Sequence, residues 1–309
     1  MNKKPLLILA GPTASGKTAL SIQLAKRLGG EIISADSMQV YRGMDIGTAK
    51  ITSAEMQGVL HHLIDICDPS EEWNVMSFCR LAAETIDAIL SRGHLPMVVG
   101  GTGFYIHALA YGAEFEEEPE SGIRQQLEAK SDAALWAELE KVDPASARSI
   151  HPHNRKRIIR ALEYFKQTGE PISRHNSYLR SKEAAYRLCF LVLDMERSLL
   201  YERIDRRVDQ MIKEGLVTEV QRLREAGCHK DMVSMKGLGY KEILSYLEGE
   251  MSLEEAVYVL KRDTRHFAKR QLTWMRREKE AVFLAKEPEK TLLSRAMAIV
   301  EEKLGVTAI

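Results

Sequence analysis

The stretch ILAGPTASGKTAL, residues 8–20, constrains the fold of this chain more than any other segment. Around its start lies an apolar run, Leu6–Ala10, which is typical of a buried strand. Apolar side chains then recur at helical spacing from Lys17 to Leu28, and Gly29 and Gly30 provide a stop signal. A strand, a glycine-containing turn and a helix in this order predict a parallel sheet whose two faces are covered by helices.

The turn between that strand and helix matches the pattern G-x-x-x-x-G-K-[ST], which cradles phosphate groups. Glycines allow backbone N–H groups to surround an anion, and the following helix N-terminus adds partial positive charge. Lys17 supplies a point charge, and the hydroxyl of Thr18 is a ligand for Mg²⁺. The pattern leaves open which compound carries the phosphates. We call this segment the phosphate loop, and its predicted phosphate-binding residues are Gly11, Pro12, Thr13, Ala14, Ser15, Gly16, Lys17 and Thr18.

Further strand-like runs alternate with helical patterns, at Glu31–Ala35 and His94–Val99, and one more follows at Arg187–Asp194. The predicted fold is therefore α/β, a P-loop NTPase-like parallel sheet flanked by helices, with a helical insertion. Residues 1–112 and 184–309 are expected to form the catalytic core, and residues 113–183 the insertion. Ligands of such sheets bind at the carboxyl ends of the strands, where the loops of interest lie.

The remainder of the chain is predicted to be helical, and Glu254–Glu278 is its clearest helix. One stripe of this helix is apolar and predicts a buried side, with Phe267 and Trp274 in the core. A nearly opposite stripe is basic, which suits either a solvated face or a surface for RNA. The apolar stripe is Val257, Leu260, Phe267 and Trp274, and the basic stripe is Arg262, Arg265, Lys269 and Arg276.

Asp194 ends the fourth strand-like run and has two interpretations. In an ATP-hydrolysing protein, an Asp at the end of such a strand holds Mg²⁺. Asp also caps helices, and a helical pattern begins near Glu196, so the capping interpretation is the preferred one.

Two more loops follow predicted strands: IISADSMQVYRGMDIGTAK at residues 32–50 and VVGGTGFYIHAL at residues 98–109. Each is weak evidence alone. Together with GPTASGKT, in this order and at these intervals, they resemble the tRNA dimethylallyltransferase family. The resemblance continues through HHLIDICDP, NRKRIIRALEYFKQTGEPIS, YERIDRRVDQMIKEGL, KGLGYKE and TRHFAKRQLTWMR, and so spans nearly the whole chain. Because the chain has no Cys and His set for the C-terminal zinc finger of some eukaryotic relatives, it resembles the bacterial form.

The family transfers a dimethylallyl group from dimethylallyl diphosphate to the exocyclic N6 amine of adenine at position 37 of tRNA, next to the anticodon. The resemblance implies that the phosphate loop holds this diphosphate, with Mg²⁺ at Thr18 as the cofactor. It assigns the same diphosphate to Arg207, with Arg206 as the rival, and the general base to Asp36. The catalytic residues are then Asp36, Thr102, Lys17 and Arg207, where Thr102 contacts substrate at the reaction centre.

The resemblance also implies a set of tRNA contacts. The target base lies stacked beside the anticodon, so it must be flipped out before it reaches a channel lined by residues 37–39. Basic side chains of the insertion would contact phosphates of the anticodon arm. The segment from His151 to Arg187 contains nine Lys or Arg residues and only three Glu residues, and this excess of positive charge favours such a surface. The implied tRNA-binding residues are Asp36, Ser37, Met38, Gln39, Thr102, Arg124, Lys156, Arg157 and Arg160.

Composition adds little to this interpretation. The 309 residues carry a formal net charge of zero and 45% hydrophobic residues, which excludes a disordered or fibrous chain. The four cysteines form no C-x-x-C pair, which suits a reducing cytoplasm, and no stretch is long enough to span a membrane. We expect a cytoplasmic protein without membrane attachment, and a monomer. Two other functions stay open: a P-loop kinase that turns over ATP, and a non-catalytic RNA-binding module.

Overall fold

The computed structural model describes residues 3–112 and 122–308. In this part of the chain the strands are β1 (Pro5–Ala10), β2 (Gly30–Ala35), β3 (His61–His62), β4 (Leu95–Gly100), β5 (Arg187–Leu193) and β6 (Ala281–Leu284). The helices are α1 (Lys17–Leu28), α2 (Ser53–Met56), α3 (Val75–Ser91), α4 (Gly103–Ala110), α5 (Ile123–Glu128), α6 (Asp132–Val142), α7 (Pro144–Ser149), α8 (Arg155–Thr168), α9 (Ile172–Ser181), α10 (Arg197–Glu214), α11 (Leu216–Glu225), α12 (Tyr240–Leu247), α13 (Leu253–Met275) and α14 (Glu289–Leu304). No helix among the described residues is both long and apolar enough to cross a membrane.

The strands form one six-stranded sheet in the order β3-β2-β4-β1-β5-β6, and every pair is parallel. The predicted parallel α/β sheet is therefore confirmed, and its four predicted strands agree with β1, β2, β4 and β5 to within a residue at each end. The sequence analysis missed β3 and β6 at the two edges. These strands have two and four residues, which is too short for a periodic signal.

The strands next to the phosphate loop are buried on both faces, as a central parallel sheet requires. Leu7 and Leu9 of β1 join a core cluster with Leu24 of α1 and Val300 of α14. α1 ends where predicted, because Gly29 adopts a left-handed conformation with φ 59° and donates its N–H to the carbonyl of Ala25. This packing fixes the carboxyl end of β1, from which the phosphate loop starts.

The buried face of α13 differs from the predicted stripe. Its buried residues are Ala256, Leu260, Ala268, Gln271 and Met275, whereas Val257, Phe267 and Trp274 are only half-buried. The predicted stripe is therefore buried at Leu260 and half-buried at its other three members. The most buried positions include small residues and one polar residue, which a hydrophobic pattern does not mark.

The chain forms two compact units, residues 1–110 with 184–309, and residues 111–183. The described part of the second unit is helical, and its core contains Leu127 of α5, Leu135 and Leu139 of α6, and Leu162 of α8. The insertion was predicted to begin at residue 113, and residues 113–121 lie outside the described residues.

Candidate active site

The phosphate loop leaves β1 at Ala10 and enters α1 at Lys17. Gly16 has φ 98°, a conformation that favours glycine, and it precedes α1 without a capping side chain. The first amides of α1 therefore remain available to an anion. The Nζ of Lys17 turns back over the loop and donates to the carbonyl oxygens of Gly11 at 2.9 Å and Pro12 at 2.8 Å.

Two cationic side chains meet at this loop. Burial lowers the pKa of Lys17 to about 7, and the positive charge of Arg207 adds to this effect, while Asp36 opposes it. Arg207, on α10, donates from Nη1 to the hydroxyl of Thr13 at 3.4 Å. Its rival Arg206 is 73% exposed and pairs with Glu202 on the same helix. Of the two neighbours, the structure brings Arg207 to the phosphate loop and leaves Arg206 in solvent.

Asp36 follows the last residue of β2, on the loop beside the phosphate loop. Its Oδ1 accepts the backbone N–H groups of Met38 at 2.8 Å and Gln39 at 3.3 Å, which is an Asx-type turn that fixes the carboxylate. Among the described residues, no hydrogen bond occupies its Oδ2. Burial raises the pKa of Asp36, whereas the two backbone hydrogen bonds and the charge of Lys17 act in the other direction. A half-buried carboxyl group with a raised pKa is suited to proton transfer.

The predicted channel residues 37–39 occupy a tightly held loop. The Gln39 side chain accepts from the Ser34 hydroxyl at 3.2 Å and donates to the carbonyl of Thr48 at 3.3 Å, so it braces residues 36–50 from within. The Met38 thioether lies against Gly237, where an added Cβ would come within 2.5 Å of the Met38 methyl carbon. Ser37, between Asp36 and Met38 in the chain, is half-buried.

Thr102 lies in the glycine-rich turn between β4 and α4. Its N–H donates to the carbonyl of Ala35 at 3.2 Å, which connects it to the residue that precedes Asp36. The glycines around Thr102 permit close approach: a Cβ at Gly100 would lie 2.2 Å from the carbonyl oxygen of Ala35. A Cβ at Gly103 would lie 2.6 Å from the ring of Trp274. The turn therefore holds Thr102 next to Ala35, the residue before Asp36. Its glycines allow Ala35 and Trp274 to pack directly against the backbone of the turn.

One buried polar residue of the site escaped the sequence analysis. Gln271, on α13, is 7% exposed. Its Oε1 accepts the N–H of Thr13 in the phosphate loop at 3.0 Å, and its Nε2 donates to the carbonyl of Gly101 at 3.0 Å. The residue lies within the quoted segment TRHFAKRQLTWMR, but one Gln within an amphipathic helix carries no pattern that distinguishes it from a surface residue.

Asp194 does not cap α10, which corrects the preferred interpretation from sequence. Glu196 is the cap, and its carboxylate accepts the N–H groups of Ser198 at 3.0 Å and Leu199 at 3.1 Å. Asp194 instead accepts the N–H of Met195 and lies 3.8 Å from Arg276. No group of three or more His, Cys, Asp or Glu side chains in the described part of the chain could hold a metal ion.

A cavity of about 670 Å³ opens beside the carboxyl ends of β5 and β6. Lys269 and Arg276 of the predicted basic stripe line it, while the other two members of the stripe form ion pairs, Arg265 with Asp205 at 2.6 Å and Arg262 with Asp263 at 2.9 Å. The stripe is therefore not one continuous free cationic surface.

The predicted tRNA-binding cations of the helical unit divide into two kinds. Arg124 donates to Glu163 at 3.1 Å, and Arg160 lies 3.7 Å from the same carboxylate. Lys156 and Arg157 lie in the first turn of α8 and are exposed, and no ion pair within the described residues involves them. Their neighbour Arg155 serves the fold, because its guanidinium donates to the carbonyls of Glu128 at 2.6 Å and Lys130 at 2.8 Å.

Comparisons with known proteins show which family this chain resembles in sequence. A family model described as isopentenyl transferase matches residues 4–68, and one described as IPP transferase matches residues 39–278. The chain is 54% identical to a tRNA dimethylallyltransferase of Lachnoclostridium phytofermentans, and the match covers 97% of this chain and 98% of the relative.

Two solved structures agree with these matches. The tRNA isopentenylpyrophosphate transferase of Bacillus halodurans is 46% identical, with a TM-score of 0.74 over 97% of this chain and 98% of that one. A eukaryotic dimethylallyltransferase, solved acting on tRNA, is 30% identical, with a TM-score of 0.79 over 98% of this chain and 77% of that one. This chain, with its phosphate loop beside an acidic loop and a glycine-rich turn, belongs to the IPP transferase family.

Proposed function

We propose that this protein transfers a dimethylallyl group from dimethylallyl diphosphate to the N6 amine of adenine 37 in tRNA. The observation that carries the proposal is the meeting of a cationic phosphate loop with a half-buried carboxyl group, Asp36, at the carboxyl ends of β1 and β2. The substrates come from the similar proteins, which are named tRNA dimethylallyltransferases and include one solved acting on tRNA. A kinase would share the loop and could also use a carboxylate base, so the choice of prenyl transfer rests on the similar proteins.

The donor half of the site holds the leaving group. As the bond between the allylic carbon and the bridging oxygen breaks, both of its electrons go to the diphosphate, whose negative charge grows. The amides of the phosphate loop, the ammonium of Lys17 and the guanidinium of Arg207 stabilise that charge. Arg207 contributes a planar donor set that matches two phosphate oxygens.

The acceptor half supplies a proton acceptor. The N6 lone pair of adenine is conjugated into the ring, so the amine becomes an adequate nucleophile only if its proton leaves as the carbon–nitrogen bond forms. The Oδ2 of Asp36 takes that proton, because Oδ1 is already used by the backbone of residues 38 and 39. Thr102, whose N–H is bonded beside Asp36, contacts the substrate at the reaction centre.

Thr18 fits a role in holding Mg²⁺. Thr18 is exposed in the first turn of α1, next to the phosphate loop. Its carbonyl oxygen, and not its hydroxyl, takes part in the hydrogen bond that the Ser21 hydroxyl donates. One hydroxyl suits Mg²⁺, which keeps several waters and binds through substrate phosphates more than through protein cages. When bound, the ion neutralises charge on the diphosphate.

The helical unit holds the anticodon arm. Lys156 and Arg157 present exposed charge for phosphates, while Arg124 and Arg160 share Glu163 and Arg124 also pairs with Glu128 at 3.2 Å, so an RNA phosphate would compete with these carboxylates. Phosphate contacts of this kind orient the RNA, while the flipped adenine enters the loop of Ser37, Met38 and Gln39. We place the protein in the cytoplasm as a monomer.

The test is an incubation with labelled dimethylallyl diphosphate, Mg²⁺ and an anticodon stem-loop, followed by nucleoside analysis. Isopentenyladenosine should form with adenine at position 37, and no product should form with guanine there or after chelation of the metal. Asp36→Asn should lower the rate by roughly 10²-fold to 10⁴-fold while RNA binding persists. Asp45→Asn, a carboxyl-to-amide change at a 55% exposed side chain of the same loop, is the matched control.

Two outcomes would contradict the proposal. Phosphate release from ATP without prenylated RNA would identify a kinase. An RNA-binding module would be identified if the unchanged protein bound the stem-loop without transferring the prenyl group. In that case Asp36→Asn would leave the affinity for the stem-loop unchanged.

A further inference from the structure

Gln271 joins two loops that belong to different halves of the site. Its side chain is bonded to the N–H of Thr13 on the phosphate loop and to the carbonyl of Gly101 on the glycine-rich turn, both at 3.0 Å. These two segments are 88 residues apart in the chain, and the pairing of β1 with β4 holds their starts together at Ala10 and Gly100, so Gln271 adds a contact further along both loops. A buried amide that donates with one atom and accepts with the other fixes both partners at once.

The contacts of Gln271 are tight on the side of the turn. A Cβ at Gly101 would lie 2.2 Å from Nε2 of Gln271, and the next atom, the carbonyl oxygen of Gly11, would be 3.4 Å away. Only glycine at this position leaves room for the amide. Trp274, one turn further along α13, closes over Gly103 in the same way, at 2.6 Å from a Cβ there. The helix therefore rests directly on the backbone of the turn.

Each partner of Gln271 leads to a reacting group. Thr13 accepts the hydrogen bond of Arg207, which faces the diphosphate in the proposed function. Gly101 precedes Thr102, whose N–H is bonded to the carbonyl of Ala35, the residue before Asp36. A shift of the Gln271 amide would therefore change the distance between the leaving group on one side and the base on the other.

We propose that Gln271 is a positioning residue that sets the spacing between the donor and acceptor halves of the site. The inference rests on the proposed function and adds a residue that touches neither substrate. Its loss lowers the rate of the bond-forming step and leaves the affinity for tRNA nearly unchanged, since the hydrogen bonds of Gln271 go to Thr13 and Gly101 and not to the exposed cations proposed to hold the anticodon arm. Misplacement of reacting groups by about 1 Å costs on the order of 10²-fold in rate.

The first measurement is the single-turnover rate of Gln271→Met with saturating dimethylallyl diphosphate and prebound tRNA. Met keeps the volume and removes both hydrogen bonds, so we expect a rate lower by roughly 10-fold to 100-fold, with the Kd for tRNA within about 2-fold. Gln271→Glu retains the acceptor for Thr13 but cannot donate to Gly101, and its charge faces the diphosphate, so it should also raise the KM for the donor. Arg270→Met, at the exposed neighbouring position of α13, is the control and should be unchanged.

A double-mutant cycle tests the contact itself. Gly101→Ala should slow the wild-type protein, because its methyl group displaces the Gln271 amide. The same substitution in a Gln271→Ala background should cost little, because the displaced group is gone. Equal effects of Gly101→Ala in both backgrounds would overturn the proposal.

Two further results would also overturn it. One is a single-turnover rate of Gln271→Met within about 2-fold of wild type in folded protein. The other is a lowered thermal unfolding midpoint in every variant, combined with a transfer rate that returns to the wild-type value at low temperature. That result would mean that Gln271 serves stability only. Absence of transfer by the wild-type protein would instead refute the proposed function, so the two failures are distinguishable.

Discussion

Glu219 provides a test of what holds the loop after β2, residues 36–50, in place. Its side chain lies on α11 and is 2% exposed. One carboxylate oxygen accepts the N–H groups of Asp45 at 3.0 Å and Ile46 at 2.8 Å. The other accepts the N–H of Gly47 at 3.1 Å and the hydroxyl of Tyr240 at 2.7 Å. Four donors thus converge on one carboxylate, and three of them belong to the loop that starts at Asp36.

Glu219→Gln keeps the shape and removes the charge, so the cost can be worked out atom by atom. The amide oxygen can still accept from Asp45 and Ile46, and the hydroxyl of Tyr240 can turn to accept from the new NH₂ group. The N–H of Gly47, however, then faces a donor and is left unsatisfied, which costs about 1–3 kcal/mol. Loss of the charge weakens the two remaining backbone bonds, so we expect a total of about 3 kcal/mol.

The assay is urea unfolding combined with amide hydrogen exchange. Glu219→Gln should lower the unfolding midpoint and increase exchange at residues 45–47. Glu225→Gln, an exposed change on the same helix, should stay within about 0.5 kcal/mol of wild type. If Glu219→Gln behaved like Glu225→Gln in both measurements, the argument that this carboxylate holds the loop would be refuted.

Three other predictions follow from the described contacts. Arg207→Ala should lower the rate of transfer by about 10²-fold in steady-state kinetics, because its guanidinium lies at the phosphate loop, whereas Arg206→Ala should leave it unchanged. Hydrogen bonds from Arg92 and, to a smaller extent, from His94 and His62 lower the pKa of Glu31 from 4.5 to about 2. The resulting stabilisation, on the order of 3 kcal/mol, is complete above pH 4.5 and is lost as the pH falls through 2, so acid unfolding of Glu31→Gln should show a flatter pH dependence than wild type. Replacing Lys156 and Arg157 together by Ala should reduce the slope of log K for tRNA against log salt by about 1–2, and an unchanged slope would exclude these residues from the interface.

The sequence determined the elements whose signals are local. An apolar run encodes β1, helical spacing encodes α1, and Gly29 ends that helix with a left-handed residue, so each part could be predicted from its own neighbours. The same holds for β5, whose seven residues are nearly all buried. The phosphate loop was predictable for this reason too, since its glycines and Lys17 act within one turn of chain.

Long-range contacts decided the rest. β3 and β6 exist because β2 and β5 offer them an edge to pair with, and their own two and four residues carry too little information. The choice between Arg206 and Arg207 depends on which side of α10 faces the phosphate loop.

Gln271 shows the same limit most clearly. Its residue type predicts solvent exposure, yet the fold buries it where a loop N–H and a loop carbonyl need one partner each. A side chain that satisfies backbone groups from two distant segments has no signal of its own along the chain, because its partners come together only after the sheet and α13 have packed.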